Sequence, residues 1–181
     1  FQSEMGSGLP NTYGAATHEL ATVATNKGII NKTTYQLNDD ILIKNVFSYR
    51  EIEATDWVDF DGQYAINPFD PVQVGFSGIA AASRVENEAF SEEIQLQGSS
   101  FGGAGTWVLG AFYFNEKGVE DSQSVTFGSP GARTVGEGEN TSYAIFGQLD
   151  YQTPIDGLAI TMGLRNTWDD RTYTIRGTTY G

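Results

Sequence analysis

The chain lacks the residues on which many enzyme and metal sites depend. Its 181 residues contain no cysteine and a single histidine, His18. A disulfide framework, a thiolate metal site, Cys–His catalysis and a histidine-rich metal site are therefore excluded. The glycine-rich residues 98–106 lack the lysine of a phosphate-binding loop, and Ser77 lacks the spacing of a nucleophile elbow. We therefore predict a protein that is not an enzyme and holds no cofactor.

Long hydrophobic runs are missing as well. No segment reaches the roughly 18 consecutive apolar residues that mark a membrane-spanning helix. Proline is scarce at 5 residues, while glycine is abundant at 22, which fits many turns rather than helices. Aromatic residues make up 13% of the chain, a content that strands and membrane interfaces favour.

Positive charge is scarce too, because 10 basic residues face 23 acidic ones and the formal net charge is −13. Nucleic-acid binding, which needs a basic surface, is therefore excluded. The charge is concentrated in two ranges. Residues 51–89 contain eight acids and one arginine, and residues 115–140 contain five acids and two basic residues.

The remaining sequence consists of alternating segments in pairs. We predict strands at residues 28–37, 41–50, 90–98, 107–116, 141–151 and 158–167. Short turns join the members of each pair, and long loops at 51–89 and 115–140 separate the pairs. Residues 1–27 are predicted as a loop or incomplete strands. Strands of about 9–11 residues with turns and loops on opposite ends are typical of transmembrane barrels.

The predicted fold is therefore all-β: an antiparallel up-and-down transmembrane β-barrel segment of about six strands, with short periplasmic turns and long extracellular loops. A soluble β-sandwich also alternates and remains an alternative. Strands of ten residues, compared with a usual mode of about 5–6, favour the barrel.

Alternation assigns side chains to the lumen or to the membrane. Tyr143 and Tyr151 are eight residues apart on one face, roughly 26 Å along a strand, which matches two aromatic girdles once the strand tilts. Segment 107–116 is apolar on both faces, so its orientation stays open. The predicted girdle consists of Tyr49, Phe90, Tyr143, Tyr151 and Trp168. The predicted lumen-facing residues are Arg50, Glu93, Gln95, Gln97, Gln148, Asp150 and Arg165. Two roles are open for them: contact with a plug or substrate, or hydration and bracing of the barrel wall.

One acidic segment has the ligands for a cation. Asp56, Asp59 and Asp61 lie close together before Gly62, and carboxylate oxygens at such spacing bind Ca²⁺. The distal glutamate of a true calcium loop is absent. A solvated acidic loop therefore stands beside the metal site as an alternative.

With the strands assigned, a resemblance becomes visible. Residues 91–98, 107–116 and 143–151 resemble consecutive barrel strands of TonB-dependent outer-membrane receptors. Residues 158–167 and 40–50 are similar to a following and an earlier strand of that family. The resemblance implies energised uptake of a siderophore, cobalamin or oligosaccharide, location in the bacterial outer membrane among lipid and lipopolysaccharide, and coupling to TonB through a plug.

The departures from the family suggest a second reading. The family's plug domain and TonB box are not visible, and a barrel of about 22 strands would need about four such chains. The segment begins at Phe1 without a basic or apolar leader, so we expect a piece of a longer or processed protein. The unpaired edges would be met by the remaining strands of a parent chain or by identical copies. In the latter case the chain would assemble into a cross-β fibril and be extracellular.

Overall fold

The protein forms one antiparallel sheet of six strands. The computed structural model describes residues 22–59, 79–126 and 129–178. Each strand pairs with the next along the chain, in the order β1-β2-β3-β4-β5-β6. The strands are β1 (Thr22–Gln36), β2 (Ile41–Asp59), β3 (Ile79–Ser100), β4 (Gly105–Thr126), β5 (Ser129–Gln152) and β6 (Ala159–Thr178). This up-and-down topology confirms the predicted all-β fold class.

The sheet is open in the part of the chain that the structure describes. Strands β1 and β6 each have a single hydrogen-bonded neighbour, as expected for a segment of a barrel. Within the same ranges, no helix is long and apolar enough to cross a membrane.

Local side-chain chemistry shapes the turns at one end of the sheet. The Asn38 side-chain oxygen accepts hydrogen bonds from the backbone N–H groups of Asp40 and Ile41, at 3.0 and 2.9 Å. This is the turn that asparagine favours. Between β3 and β4 a 3-10 helix (Phe101–Gly103) contains Gly102 and Gly103 at positive φ, where a Cβ atom is disfavoured.

The strand ends differ from the prediction. Strands β2, β3, β4 and β5 have 19, 22, 22 and 24 residues, so residues 51–59, 79–89, 115–126 and 129–140 are in strands. Most of the predicted loop 115–140 and part of 51–89 were therefore assigned wrongly, while residues 60–78 lie outside the described residues. Strand β1 begins at Thr22, so residues 22–27 of the range predicted as a loop or incomplete strands belong to a strand.

Cross-strand pairing explains why these acidic segments remain in the sheet. A guanidinium nitrogen of Arg84 lies 2.8 Å from Glu53 on β2 and 2.7 Å from Glu86 on its own strand. Backbone hydrogen bonds hold an antiparallel ladder in water as well as in lipid. Acidic side chains therefore do not end a strand when basic partners lie beside them.

No compact core forms in the described ranges, because the sheet is a single layer. The buried apolar residues are the small Ala82, Ala89 and Ala144. Large apolar side chains are exposed, including Leu164 at 86% and Ile145 at 57%. Apolar surface on this scale indicates a face that meets lipid or another polypeptide.

Candidate functional site

The strand register sorts the predicted site residues onto two faces. Partners across each ladder point to the same side, and successive residues of a strand point to opposite sides. All seven residues predicted to face a lumen share one face, named the amide face after Gln95, Gln97 and Gln148. All five predicted girdle residues share the other, named the aromatic face after Phe90, Tyr113 and Tyr143. Which face meets lipid remains a prediction.

The register also orients segment 107–116, which the sequence left open. Trp107, Leu109 and Tyr113 belong to the aromatic face, because Leu109 is opposite Leu96 and Tyr113 is opposite Tyr143. Phe112 belongs to the amide face, opposite Glu93. The apolar residues of this strand therefore divide between the two faces, some beside the rings of the aromatic face and others beside the polar side chains of the amide face.

A continuous band of rings crosses the aromatic face. Ring centroids are 5.4 Å apart for Phe47 and Phe90, 5.7 Å for Phe90 and Tyr113, and 5.1 Å for Tyr113 and Tyr143. Trp168 is the register partner of Tyr143 and extends this level onto β6. The predicted girdle left out both Phe47 and Tyr113. Phe47 has the parity of Tyr49 within its predicted strand, whereas the orientation of the segment that contains Tyr113 had stayed open.

A second aromatic level lies near the turns. The rings of Phe101 and Tyr151 are 5.5 Å apart. Between the two levels the aromatic face carries exposed apolar side chains, among them Ile94, Leu109, Ile145 and Leu164. The face therefore consists of an apolar band with rings at both limits.

The amide face carries hydrogen-bonded polar side chains at the same height. The Gln97 amide donates to Gln95 at 2.5 Å, and the Gln95 amide donates to Glu93. Asp150 accepts hydrogen bonds from Thr161 at 2.6 Å and from Gln148 at 2.9 Å. These groups satisfy one another along and across strands, so the face is polar without being strongly charged.

Arg165 lies beside aromatic rings on the amide face, and no described carboxylate forms an ion pair with it. Its guanidinium carbon lies 5.5 Å from the ring centroids of both Phe112 and Phe146. Its Nε donates to the Thr167 hydroxyl at 3.2 Å. Sequence reasoning identified Arg165 but did not place either ring beside it, because that proximity depends on the register of three strands.

Beyond the band of Phe47, Phe90, Tyr113 and Tyr143, on the side away from the turns, the aromatic face becomes charged. Lys27, Glu51, Glu88, Lys117 and Glu139 are successive register partners across β1 to β5, and we call this row the charged rung. It lines an open cavity of about 1050 Å³. The Lys117 ammonium lies 3.1 Å from Glu139.

Hydrogen bonding sets the ionisation of one member of this rung. The Asn115 amide donates to the Glu139 carboxylate at 3.1 Å, and the Lys117 ammonium adds a second hydrogen bond. In that order of importance, the two contacts lower the pKa of Glu139 below its usual value of 4.5. A lowered pKa means that the carboxylate stabilises the sheet above that value, and the contribution is lost as the pH falls through the lowered pKa.

The predicted calcium ligands lie only partly within the described residues. Asp56 lies on β2 and accepts a hydrogen bond from the Thr22 hydroxyl. Asp59 is the last residue of that strand, three positions later, and Asp61 lies outside the described residues. Where the structure describes the chain, no three His, Cys, Asp or Glu residues converge on a metal position. The calcium site stays a prediction.

The chain is similar to known proteins in its fold rather than in its sequence. No protein-family model and no curated protein matches the chain. Among solved structures, it is similar to the ferric yersiniabactin uptake receptor FyuA from Yersinia pestis, with 13% identity and a TM-score of 0.65. The siderophore receptor PiuA from Acinetobacter baumannii is 14% identical over 87% of this chain and 30% of its own, but its TM-score of 0.40 supports no argument.

The coverage defines what the similarity to FyuA means. It extends over 88% of this chain and 22% of that receptor. At this level of identity the similarity concerns the fold, and it agrees with the predicted resemblance to outer-membrane receptors. The described sheet thus has the fold of about a fifth of a solved uptake receptor.

Proposed function

We propose that this chain forms part of the barrel wall of an outer-membrane transporter of the TonB-dependent receptor type. The observation that carries the proposal is the division of one sheet into two faces at the same height. One face has an apolar band limited by rings, and the other has hydrogen-bonded amides, hydroxyls and charges. That division is the one a wall needs between lipid and an aqueous lumen.

We infer an orientation in the membrane from the two faces. The aromatic face contacts lipid, so Tyr49, Phe90, Tyr143 and Trp168 lie at one interface and Tyr151 lies at the other. The ends of β2 to β5 then project outside the cell. The charged rung lies just beyond the ring level, at the height of the lipopolysaccharide head groups. Its mixed charges suit their phosphates and the divalent cations that bridge them.

The proposed activity is energised uptake of a scarce ligand. Ligand capture is followed by rearrangement of a plug that the TonB energy-coupling protein drives, and neither step is carried by these residues alone. The ferric yersiniabactin receptor favours a ferric siderophore as the ligand class, ahead of cobalamin or an oligosaccharide. The amide face contributes the wall against which the plug or ligand lies.

Uptake measurements in cells test this proposal. The complete polypeptide is expressed in a Gram-negative bacterial strain that lacks its own siderophore receptors. The strain is used both with and without a functional TonB protein. Radioactive iron is offered in complex with several siderophores, and labelled cobalamin and a maltooligosaccharide serve as parallel probes. We expect TonB-dependent accumulation of one probe. Absence of accumulation for all probes, with the protein correctly inserted, overturns the transport function.

The open edges of the sheet support one rival assembly. Every residue of β1 is exposed, and both β1 and β6 have an unpaired edge in the described ranges. Such edges accept either further barrel strands or identical copies of the chain. Electron imaging of material prepared without detergent separates the two. Unbranched fibrils with a repeat of about 4.7–4.8 Å mean that the chain forms a cross-β assembly rather than a transporter. A monomer that is soluble without detergent indicates a soluble β-sandwich.

A further inference from the structure

Arg165 occupies a site built by three strands on the amide face. Phe146 on β5 is its direct register partner, while Phe112 lies on β4. The guanidinium lies 5.5 Å from both ring centroids, a distance within the range of cation–π attraction. We name Arg165, Phe112 and Phe146 the Arg165 platform.

Small residues make room for both rings. Gly110 is opposite Phe146, and a Cβ atom at Gly110 would overlap the Phe146 ring. Ala144 is opposite Phe112 and is only 2% exposed. The rings therefore lie over a floor of one glycine and one alanine. This arrangement limits how far the rings, and the cation above them, can move.

The charge on Arg165 is not neutralised by the described residues. No carboxylate in these ranges forms an ion pair with it, and its Nε donates to the neutral Thr167 hydroxyl. The nearby acids of this face have other partners: Glu93 accepts from Gln95, and Asp150 accepts from Gln148 and Thr161.

The contacts with the rings leave donors of the guanidinium available, because among the described residues only its Nε has a hydrogen-bond partner. Rings interact with the flat face of the cation, whereas hydrogen bonds form in its plane. A guanidinium with free in-plane donors matches the two oxygens of a carboxylate. In the same cross-strand row, Gln95, Gly110 and Phe146 are neutral and Lys44 adds a second positive charge, so an approaching carboxylate meets no negative charge there.

We propose that the Arg165 platform is a carboxylate-binding site. The carboxylate comes either from an acidic side chain of the same polypeptide lying against the amide face or from a small carboxylate ligand. The proposal depends on the geometry of the described residues alone, so it is tested separately from transport.

Thermal unfolding of the complete polypeptide in detergent micelles tests the site. Arg165→Gln is compared with the parent protein and with Arg171→Gln, which removes another exposed arginine from the same face of β6. Each protein is measured near pH 7 and at about pH 3, below the usual carboxyl pKa of about 4. A titration with citrate near pH 7 serves as the probe for a small carboxylate.

Each source of the carboxylate gives a different result. If it belongs to the polypeptide, Arg165→Gln lowers the unfolding temperature near pH 7 and the difference largely disappears at about pH 3. If it belongs to a ligand, Arg165→Gln and the parent protein unfold at the same temperature without additive. Citrate then raises the unfolding temperature of the parent and of Arg171→Gln with an apparent affinity about tenfold higher than for Arg165→Gln.

Other outcomes overturn the site. An equal loss of stability at both pH values means that Arg165 only stacks on the rings. No loss at either pH, together with no citrate protection, means that the platform binds no carboxylate. If Arg165→Gln fails to fold, Arg165→Lys replaces it, because lysine keeps the charge but lacks the planar fork. The same pH dependence and citrate titration then decide the question.

Discussion

At the scale of single residues, the positions of glycines determine where the large rings lie. Gly98 is the register partner of Trp107, and Gly110 is the register partner of Phe146. In each pair a Cβ atom on the glycine would overlap the opposing ring. These glycines supply space rather than an unusual backbone conformation, and their register partners give the sheet fixed aromatic contacts without a packed core.

Substitution of Gly110 tests this role. Gly110→Ala is expected to displace the Phe146 ring and to destabilise the protein by about 1–3 kcal/mol through overpacking. Gly163→Ala is the matched control, because the nearest atom to its added Cβ is the Gly147 carbonyl oxygen at an ordinary 3.6 Å. Denaturant unfolding in micelles measures both. Equal stability of the two variants would show that Phe146 moves away at no cost.

Sequence reasoning reached some of these residues and not others. Alternation alone placed Gln95, Gln148 and Arg165 together, because parity within a strand decides the face. It did not predict the contacts of Phe112 and Phe146 with Arg165, since these contacts depend on how β4, β5 and β6 align. The register between strands is determined by the whole ladder and cannot be predicted from the sequence of one segment.

At the scale of elements, the strands continue well past the aromatic band. Strand β4 runs on to Thr126 and β5 begins at Ser129, so their projecting ends form one long hairpin. The register shifts between Gln123 and Val125, where a bulge interrupts the ladder. Acidic composition led to the prediction of a loop at 115–140, because sequence shows charge but not the partner across the ladder.

One ion pair lies just before that bulge. Arg133 donates from Nε to Asp121 Oδ1 at 2.9 Å and from Nη2 to Oδ2 at 2.5 Å, a bidentate geometry. Asp121 is only 6% exposed, so the pair is screened less than those at the surface. We infer that this pair stabilises the end of the hairpin.

The pair can be removed with little change in shape. Asp121→Asn is expected to cost about 1–3 kcal/mol, because Arg133 then loses the charge of a buried partner. Glu137→Gln is the control, since Glu137 and Arg176 are exposed and 3.8 Å apart and should contribute little. Hydrogen exchange of the amides in residues 117–126 reports the difference. Similar exchange in both variants would show that the bidentate pair does not hold the hairpin.

At the scale of the whole molecule, the part of the chain that the structure describes is a single sheet with two different faces and no packed core. Length, alternation and aromatic spacing were sufficient to predict this architecture, because period-two patterning survives without a core. The sequence did not reveal that four strands are about twice the length needed to cross a bilayer. The excess length projects the charged rung and the β4–β5 hairpin beyond the ring level.

An arginine on each face distinguishes a membrane wall from a soluble sheet. Leu109 is 56% exposed on the aromatic face, and its register partner Gly147 is midway between Tyr143 and Tyr151. If that face meets lipid, Leu109→Arg costs about 2–4 kcal/mol near the bilayer midplane. Gln148→Arg places the same side chain at the neighbouring position of the amide face, where water and Asp150 accept it at little cost. Reversible unfolding from lipid vesicles measures both variants. Equal small effects would mean that neither face contacts lipid, and a larger cost for Gln148→Arg would reverse the assignment of the faces.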